Sequence, residues 1–588
     1  MIQVTQGGVV AASFCNTKSL IQLIMQYIII GAVAGGASTA ARLRRMDEHA
    51  SVILFEKGDY VSYANCGLPY YIGDVITDRN KLFVQTATAF KNRFAIDVRV
   101  RTEVTSIDPV AQTVTATNLF TGEVYTERYD KLVLSPGAEP IRPPLPGINL
   151  KGIFTLRNVA DTDVIKSYVQ HFPKGKAVVI GAGFIGLEMA ENLAHLGMEV
   201  TVVEMSNQVM APLDYPMAAL VQQHLRSKGI RLILNTAVTG FYEEPLDRLS
   251  LSLNIGDALE ADVVILSIGV RPDVLLAKAA GLQLGAAGGI WVNKHLQTSN
   301  PHIYAVGDAI EFDNPITGKS MSSFLAGPAN KQGRICANNI VLGNAQVYEG
   351  AINTAIVKIF DLTAGVAGMA VKHLKAAGIE HLVSTTYNGS HAGYYPGANM
   401  MTIQLAFAPG TGRLLGAQVV GGDGVDKRLD LLASVIKKGG TIYDLTEIEH
   451  AYAPPFSSAK DPVNIAGYAA ENILLHRVQP WYWDSPEAES GNSFLLDVRT
   501  PTEFASGSIG HAVNVPLDEL RSRLTELPKD APIYLFCQIG LRGYMAARIL
   551  LQSGFERVYN LSGGYRLWLA STIEKEQLLA HNNLQFAD

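Results

Sequence analysis

Two thiols stand where the surrounding residues could make them react. Cys66 lies in SYANCGLPYY, followed at once by Gly67-Leu68-Pro69, with no second cysteine nearby. A thiol in such a turn is a candidate nucleophile in its thiolate form, and a buried structural cysteine is the competing reading. Cys537 lies in YLFCQIGLR: an apolar strand, a short loop, then a helix starting near Arg542. Successive loop N–H groups at a helix N-terminus can point inward as an anion nest, which would hold a thiolate or a persulfide. Of the other cysteines, Cys336 sits in the helix-like KQGRICANNI and reads as core, and Cys15 lies near the start of the chain.

A thiol does redox work only beside an electron carrier, and two stretches have the form that holds one. QYIIIGAVAGG is an apolar strand entering a loop with Gly31, Ala32, Gly35 and Gly36. Side chains there would obstruct a pyrophosphate at a helix N-terminus. SVILFEKG then ends a strand at Glu56, about 20 residues after the loop, where a carboxylate can bind a ribose 2′-hydroxyl. The second copy, KAVVIGAGFIGLEMAENLAHLGMEVTVVE, has Gly181, Gly183 and Gly186 between strand and helix, and its next strand ends at Glu204. An acidic residue there repels a 2′-phosphate, so NADH is favoured over NADPH. Two such units imply two dinucleotides. LVLSPGAEP (132–140) reads as a strand leaving the first unit, and HIYAVGDA as a strand whose Asp308 can meet a flavin ribityl chain.

The elements that must position these residues need several domains, since 588 residues exceed one core. The composition is 48% apolar and 17% charged, that of a well-buried globular chain. Net charge is −6 without a basic block, which argues against nucleic acid as a partner. Four cysteines, far apart, suit a reducing cytoplasm better than a disulfide framework. The apolar run from Ser19 to Ser38 reads as a buried first strand and glycine loop rather than a membrane span or signal peptide, with Met25 as natural start and residues 1–24 as an upstream extension.

From about Met25 to Tyr468 the order of these stretches resembles the pyridine-nucleotide-dependent flavoprotein disulfide reductases. The resemblance implies an FAD domain split around an inserted NAD(P)H domain, and a C-terminal domain that forms a homodimer. Gly31, Gly36, Glu56 and Asp308 are then expected to bind FAD; Gly181, Gly183, Gly186 and Glu204 the nicotinamide cofactor. Ala32, Gly35, Lys57, Asn65, Ser135, Gly137, Phe184, Ile185 and Gly269 are expected in the same cofactor sites. Such enzymes usually keep two cysteines about five positions apart. SYANCGLPYYIGD has one, and resembles the coenzyme A disulfide reductase branch, in which coenzyme A supplies the second sulfur. A helix N-terminus and the flavin ring are expected to lower the Cys66 pKa. In that branch, tyrosines at positions like Tyr394 or Tyr395, in HAGYYPGA, and Tyr452, in HAYAPPFSSAKDPVN, reach across the dimer to the active sulfur. Packing tyrosines at an interface are the alternative. Arg42 and Arg45 could pair with coenzyme A phosphates, or form a solvated helix face.

The tail resembles a rhodanese domain, with Asp497-Val498-Arg499, Gly510-His511-Ala512, Asn514, Pro516 and Gly563-Gly564 as landmarks. Cys537 and Arg542 would then be its active-loop residues. Gln538 stands where many rhodaneses carry arginine, and the loop is one residue shorter than in the related phosphatases, which favours sulfur over phosphate. An inactive docking module is the alternative.

The expected fold class is α/β: two Rossmann-like FAD and NAD(P)H domains, an α+β dimerisation domain and a C-terminal rhodanese α/β domain. The FAD domain is expected over 25–138 and 272–349, the NAD(P)H domain over 139–271, the dimerisation domain over 350–468, a linker over 469–490 and the rhodanese domain over 491–588. The expected activity is NADH-dependent reduction of coenzyme A disulfide, coenzyme A persulfide or polysulfide, with a sulfane-sulfur donor feeding the tail. A single-cysteine NADH oxidase or peroxidase, or a flavin-linked redox sensor, are the rival readings.

Overall fold

The computed structural model describes residues 24–245, 248–490 and 492–583. Apart from Ile24, the upstream extension and its Cys15 lie outside the described residues. The run YIII that resembles a membrane segment is the central strand of a five-stranded parallel sheet, Gln26–Ile30. Strands Ser51–Phe55 and Lys131–Leu134 flank it, with Asp97–Arg99 and Ile303–Ala305 at the edges. Ile28 and Ile29 have 0% exposure, each contributing about 1.5–3 kcal/mol by burial. A strand covered on both faces reads as continuous apolar sequence. No helix among the described residues is long and apolar enough to cross a membrane.

A second parallel sheet runs Arg231–Ile233, Glu199–Val203, Lys176–Ile180, Val263–Leu266, Ile153–Phe154. The chain crosses between the two units as an antiparallel pair, Ala138–Pro140 with Val270–Pro272. A third, antiparallel sheet follows, in the order Ala355–Ile359, Leu362–Gly368, Leu414–Gly421, Met400–Phe407, Leu382–Gly389. Helices Val425–Lys437 and Pro462–Leu474 pack beside it. The fourth sheet, again parallel, places Ile533–Phe536 between Val558–Leu561 and Phe494–Asp497.

Residues 469–490, read from sequence as a linker, carry regular structure. They include the end of helix Pro462–Leu474 and the strand Gln479–Trp481, which joins the fourth sheet beside Val558–Leu561. Trp481 drives this: it is 4% exposed and its indole N–H donates to the Leu535 carbonyl at 3.0 Å. The tail is docked as well as tethered. Tyr215 stacks on Trp483 at 5.3 Å, Gln222 Nε2 donates to Glu574 Oε2 at 2.8 Å, and Thr385 N donates to Ser562 Oγ at 3.1 Å.

Candidate active sites

The two glycine loops are built alike. A Cβ added at Gly36 would overlap the Gly31 carbonyl oxygen, and one at Gly186 would overlap that of Gly181. Only glycine lets each helix, Ala34–Met46 or Phe184–His195, start that close to its strand. Each distal carboxylate is tied to its loop: Ala32 N donates to Glu56 Oε2 at 3.0 Å, and Ala182 N to Glu204 Oε2 at 2.8 Å. The second oxygens accept from Gly58 N and from Ser206 N, both at 2.8 Å. A carboxylate oxygen has lone pairs to spare for a ribose hydroxyl. The loops differ at their middle position, Val33 in one and Gly183 in the other. Phe184 and Ile185 begin the second helix, and Gly269 lies just before the crossing strand, its carbonyl accepting from Ile141 N at 3.0 Å.

Over the first loop lies a cavity of about 790 Å³. Its wall brings together Gly31, Ala32, Gly35, Glu56 and Lys57, and across from them Asn65, Ser135, Gly137 and Asp308. Gly36 lies beneath the loop rather than in the wall. Lys57 pairs with Glu139 at 3.3 Å. The cavity is in the size range of a cofactor site. Two observations fit a polar dinucleotide there. Arg157, in the same wall, has a buried Nε without a hydrogen-bond partner. Burial pushes the Asp308 carboxyl up, with Arg157 opposing it, so this carboxyl gains from a hydroxyl-bearing ligand.

Cys66 follows Asn65 in the turn Asn65–Gly67, which runs straight into helix Leu68–Ile72. Its side chain is exposed. The thiol's pKa is nonetheless raised, first by desolvation, then by the carboxyls of Glu188 and Asp308. The chain's own groups thus act opposite to the expected lowering by a helix N-terminus and the flavin ring, the second of which requires bound FAD. That helix has only five residues, and the charges facing the thiol are acidic. Glu188, on the helix of the second glycine loop, accepts a hydrogen bond from Tyr70 OH at 3.3 Å, and burial pushes its carboxyl up to about 7. Sequence reasoning missed Glu188, Tyr70 and Arg157. The signal for Glu188 was present: it stands two residues after Gly186, on the helix that packs against Leu68–Ile72 just after Cys66.

The structure joins two of the three candidate tyrosines. Tyr394 OH and Tyr452 OH lie 2.9 Å apart, with the side chains 76% and 48% exposed. Tyr395 turns instead onto His391, edge to face at 5.7 Å. Neither member of the pair hydrogen-bonds Cys66 within this chain. Arg42 Nε donates to Asn338 Oδ1 at 2.9 Å, and Arg45 Nε to the Ala41 carbonyl at 3.0 Å.

The fourth sheet delivers Cys537, fully buried, into a loop whose Gly540 N–H donates to its Sγ at 3.1 Å. The loop is pressed from behind by Gly564, where an added Cβ would lie 2.7 Å from the Cys537 carbonyl oxygen and 2.8 Å from the nitrogens of Ile539 and Gly540. Tyr565 N and Arg566 N anchor the carbonyls of Cys537 and Gln538 at 2.8 and 3.0 Å. Arg542 is gripped by Glu503 in a bidentate pair of 2.7 and 2.6 Å. The Asp497–Arg499 landmark is a buried ion pair, with Asn514 holding the carbonyls of both residues.

Two dinucleotide folds, a cavity over the first of them with a thiol next to its wall residue Asn65, and a second thiol whose loop aims the Gly540 N–H at its sulfur define a pyridine-nucleotide-dependent flavoprotein reductase joined to a rhodanese-type domain. The family model described as pyridine nucleotide-disulphide oxidoreductase matches residues 25–333, its dimerisation domain 354–462, and the rhodanese-like domain 481–571. The chain belongs to the pyridine nucleotide-disulphide oxidoreductase family, whose cofactors are FAD and NAD(P)H. It is 35% identical over 451 residues to the coenzyme A disulfide reductase of Staphylococcus haemolyticus, covering 76% of this chain and 99% of that protein. The reduced CoADR-RHD protein of Bacillus anthracis superimposes with a TM-score of 0.92 at 48% identity, covering 94% of this chain and 99% of that one. The NAD-dependent persulfide reductase of A. fulgidus does so at 0.86 and 40%, covering 92% and 100%.

Proposed function

We propose that this protein is an FAD-dependent reductase that uses NADH to reduce coenzyme A disulfide, coenzyme A persulfide or polysulfide at Cys66, and that its Cys537 domain carries sulfane sulfur. The observation that carries the reading is the solitude of Cys66. The free cysteines among the described residues are Cys66, Cys336 and Cys537, and Cys336 is buried at 0% exposure in helix Ala326–Leu342. With no second thiol beside Cys66 among the described residues, the sulfur that pairs with it in this reading comes from the substrate.

FAD would be held by the Gly31–Gly36 loop, Glu56, Arg157 and Asp308, and when bound supplies two-electron reduction at the thiol with NADH as hydride source. Cys66 attacks one sulfur of coenzyme A disulfide; the sulfur–sulfur bond breaks, one coenzyme A leaves as thiolate, and the other remains on Cys66 as a mixed disulfide. Glu188, held near neutral pKa beside Tyr70, can keep or release a proton at this site. The exposed Tyr394–Tyr452 pair is suited to donate a proton to the leaving thiolate from a second copy of the chain in a homodimer. Glu204 disfavours a 2′-phosphate, hence NADH. Arg42 and Arg45 are available for coenzyme A phosphates.

The test is anaerobic stoichiometry. One NADH consumed per coenzyme A disulfide, with two thiols released, is expected. NADH turnover that requires dioxygen or peroxide would replace this reading with the oxidase or peroxidase.

A further inference from the structure

The guanidinium groups of Arg542 and Arg499 reach the Cys537 loop, Arg566 touches it through its backbone N–H, and all three guanidinium groups are engaged. Arg542 gives both its terminal nitrogens to Glu503 at 2.7 and 2.6 Å, and its remaining interaction is with the Cys537 sulfur itself. Arg499, 2% exposed, binds Asp497 through bonds of 2.6 to 3.0 Å and reaches Gln538 Oε1 only at 3.4 Å. Arg566 lays its guanidinium over the Tyr387 ring, 5.5 Å from its centre. The residue after the cysteine, Gln538, is neutral. On the other side of the loop, Leu541 and Met545 are 61% and 40% exposed, four residues apart on one face of helix Leu541–Gln552.

These features discriminate between sulfur donors. Thiosulfate is a compact dianion, and needs cations that are not already neutralised. The Glu503 carboxylate, held ionised by Arg542, adds repulsion at the loop mouth. A persulfide on an organic thiol brings at most one negative charge at the reacting sulfur, which loop N–H groups such as that of Gly540 can hold, and an organic body that Leu541 and Met545 can contact.

We propose that the Cys537 domain takes its sulfur from persulfides carried on organic thiols and discriminates against thiosulfate, and that Glu503, by occupying Arg542, is the residue that sets this preference. The inference rests on the reading of Cys537 as a sulfur carrier. In the step, the Cys537 thiolate attacks the outer sulfur of R–S–SH. The sulfur–sulfur bond of the donor breaks, R–S⁻ leaves with the electron pair, and Cys537–S–SH forms with the proton still on the transferred sulfur. No external oxidant or reductant is needed.

The test follows persulfide formation on the Cys537 peptide by mass spectrometry, anaerobically, in the full-length Cys66→Ser protein. Glutathione persulfide and thiosulfate are the probes. Glutathione persulfide is expected to load Cys537 at least about 100-fold faster, and Glu503→Gln is expected to raise the thiosulfate-to-persulfide rate ratio about tenfold. Gln538→Arg, which adds a cation and leaves the Glu503 pair intact, is expected to move the ratio the same way. Equal loading by the two donors, or a ratio unmoved in Glu503→Gln whatever Gln538→Arg does, overturns the proposal. If neither donor loads Cys537 while the Cys66-intact protein still reduces coenzyme A disulfide, the sulfur-carrier reading itself falls, and this inference with it.

Discussion

Cys66 and Cys537 are both thiols at the start of a helix, and the fold treats them in opposite ways. Cys537 is fully enclosed, with a backbone N–H on its sulfur and a twelve-residue helix behind it. Cys66 is exposed, precedes a five-residue helix, and faces the acidic side chains of Glu188 and Asp308. The enclosed thiol brings its own anion-stabilising groups. The open one lacks them, and in the proposed reading its reactivity comes from a cofactor in the adjoining cavity and from groups on other units. A sulfur carrier has to protect a bound sulfane atom, whereas a reductive thiol has to exchange partners with bulky substrates.

The largest expected effect separates the two thiols outright. Cys66→Ser should lower NADH-dependent reduction of coenzyme A disulfide by at least about a thousandfold, while Cys537→Ser should lower it by less than about twofold. Parallel losses in steady-state turnover would mean one shared site and end the comparison. Next in size is Gly564→Ala. Its added Cβ, 2.7 to 2.8 Å from three backbone atoms of the Cys537 loop, should slow sulfur loading of Cys537 by about 10- to 100-fold without changing turnover at Cys66. Glu188→Gln removes a like charge from the neighbourhood of Cys66. The pH profile of Cys66 alkylation by iodoacetamide should move to lower pH, with that of Cys537 unmoved, and any ionisation near 7 in kcat/KM should disappear.

The smallest effect is on stability in acid. Arg542 depresses the Glu503 carboxyl to about 2, below its ordinary unfolded value of about 4.3. A depressed carboxyl adds stability above the unfolded pKa and loses it as pH falls from about 4 toward 2. The pair is partly exposed and solvent-screened, so the loss is modest. Acid unfolding of the rhodanese-like domain should be flatter over that range in Glu503→Gln, and a wild-type curve identical to the variant's would remove the pair from the loop's support.

Much of this arrangement was legible in the sequence because its determinants are local. A glycine loop with its carboxylate spans one βαβ unit, and Cys537 with its loop spans one strand–helix turn. What stayed hidden depends on distant segments meeting. Glu188 acts on Cys66 only because two separate units pack helix Leu68–Ile72 against helix Phe184–His195, where a Cβ at Gly73 would overlap Asn192. That packing adds the Glu188 charge to the desolvation that chiefly raises the Cys66 thiol. Tyr394 and Tyr395 are indistinguishable as letters, and only the path of an exposed loop turns one toward Tyr452 and the other toward His391. The supposed linker reads as polar and Pro-containing, yet one tryptophan finds a buried carbonyl and makes part of it a strand. The Glu503–Arg542 grip likewise joins two elements that sequence spacing keeps apart.

The central claim is that the substrate supplies the sulfur that pairs with Cys66. The most direct test is peptide mass mapping of the oxidised, NADH-free protein after anaerobic incubation with coenzyme A disulfide. One coenzyme A in disulfide linkage on Cys66, with Cys537 unmodified, is the expected result. A Cys66 peptide without coenzyme A while the adduct sits on Cys537, or a Cys66 that forms only oxygen adducts when peroxide is supplied, would contradict it.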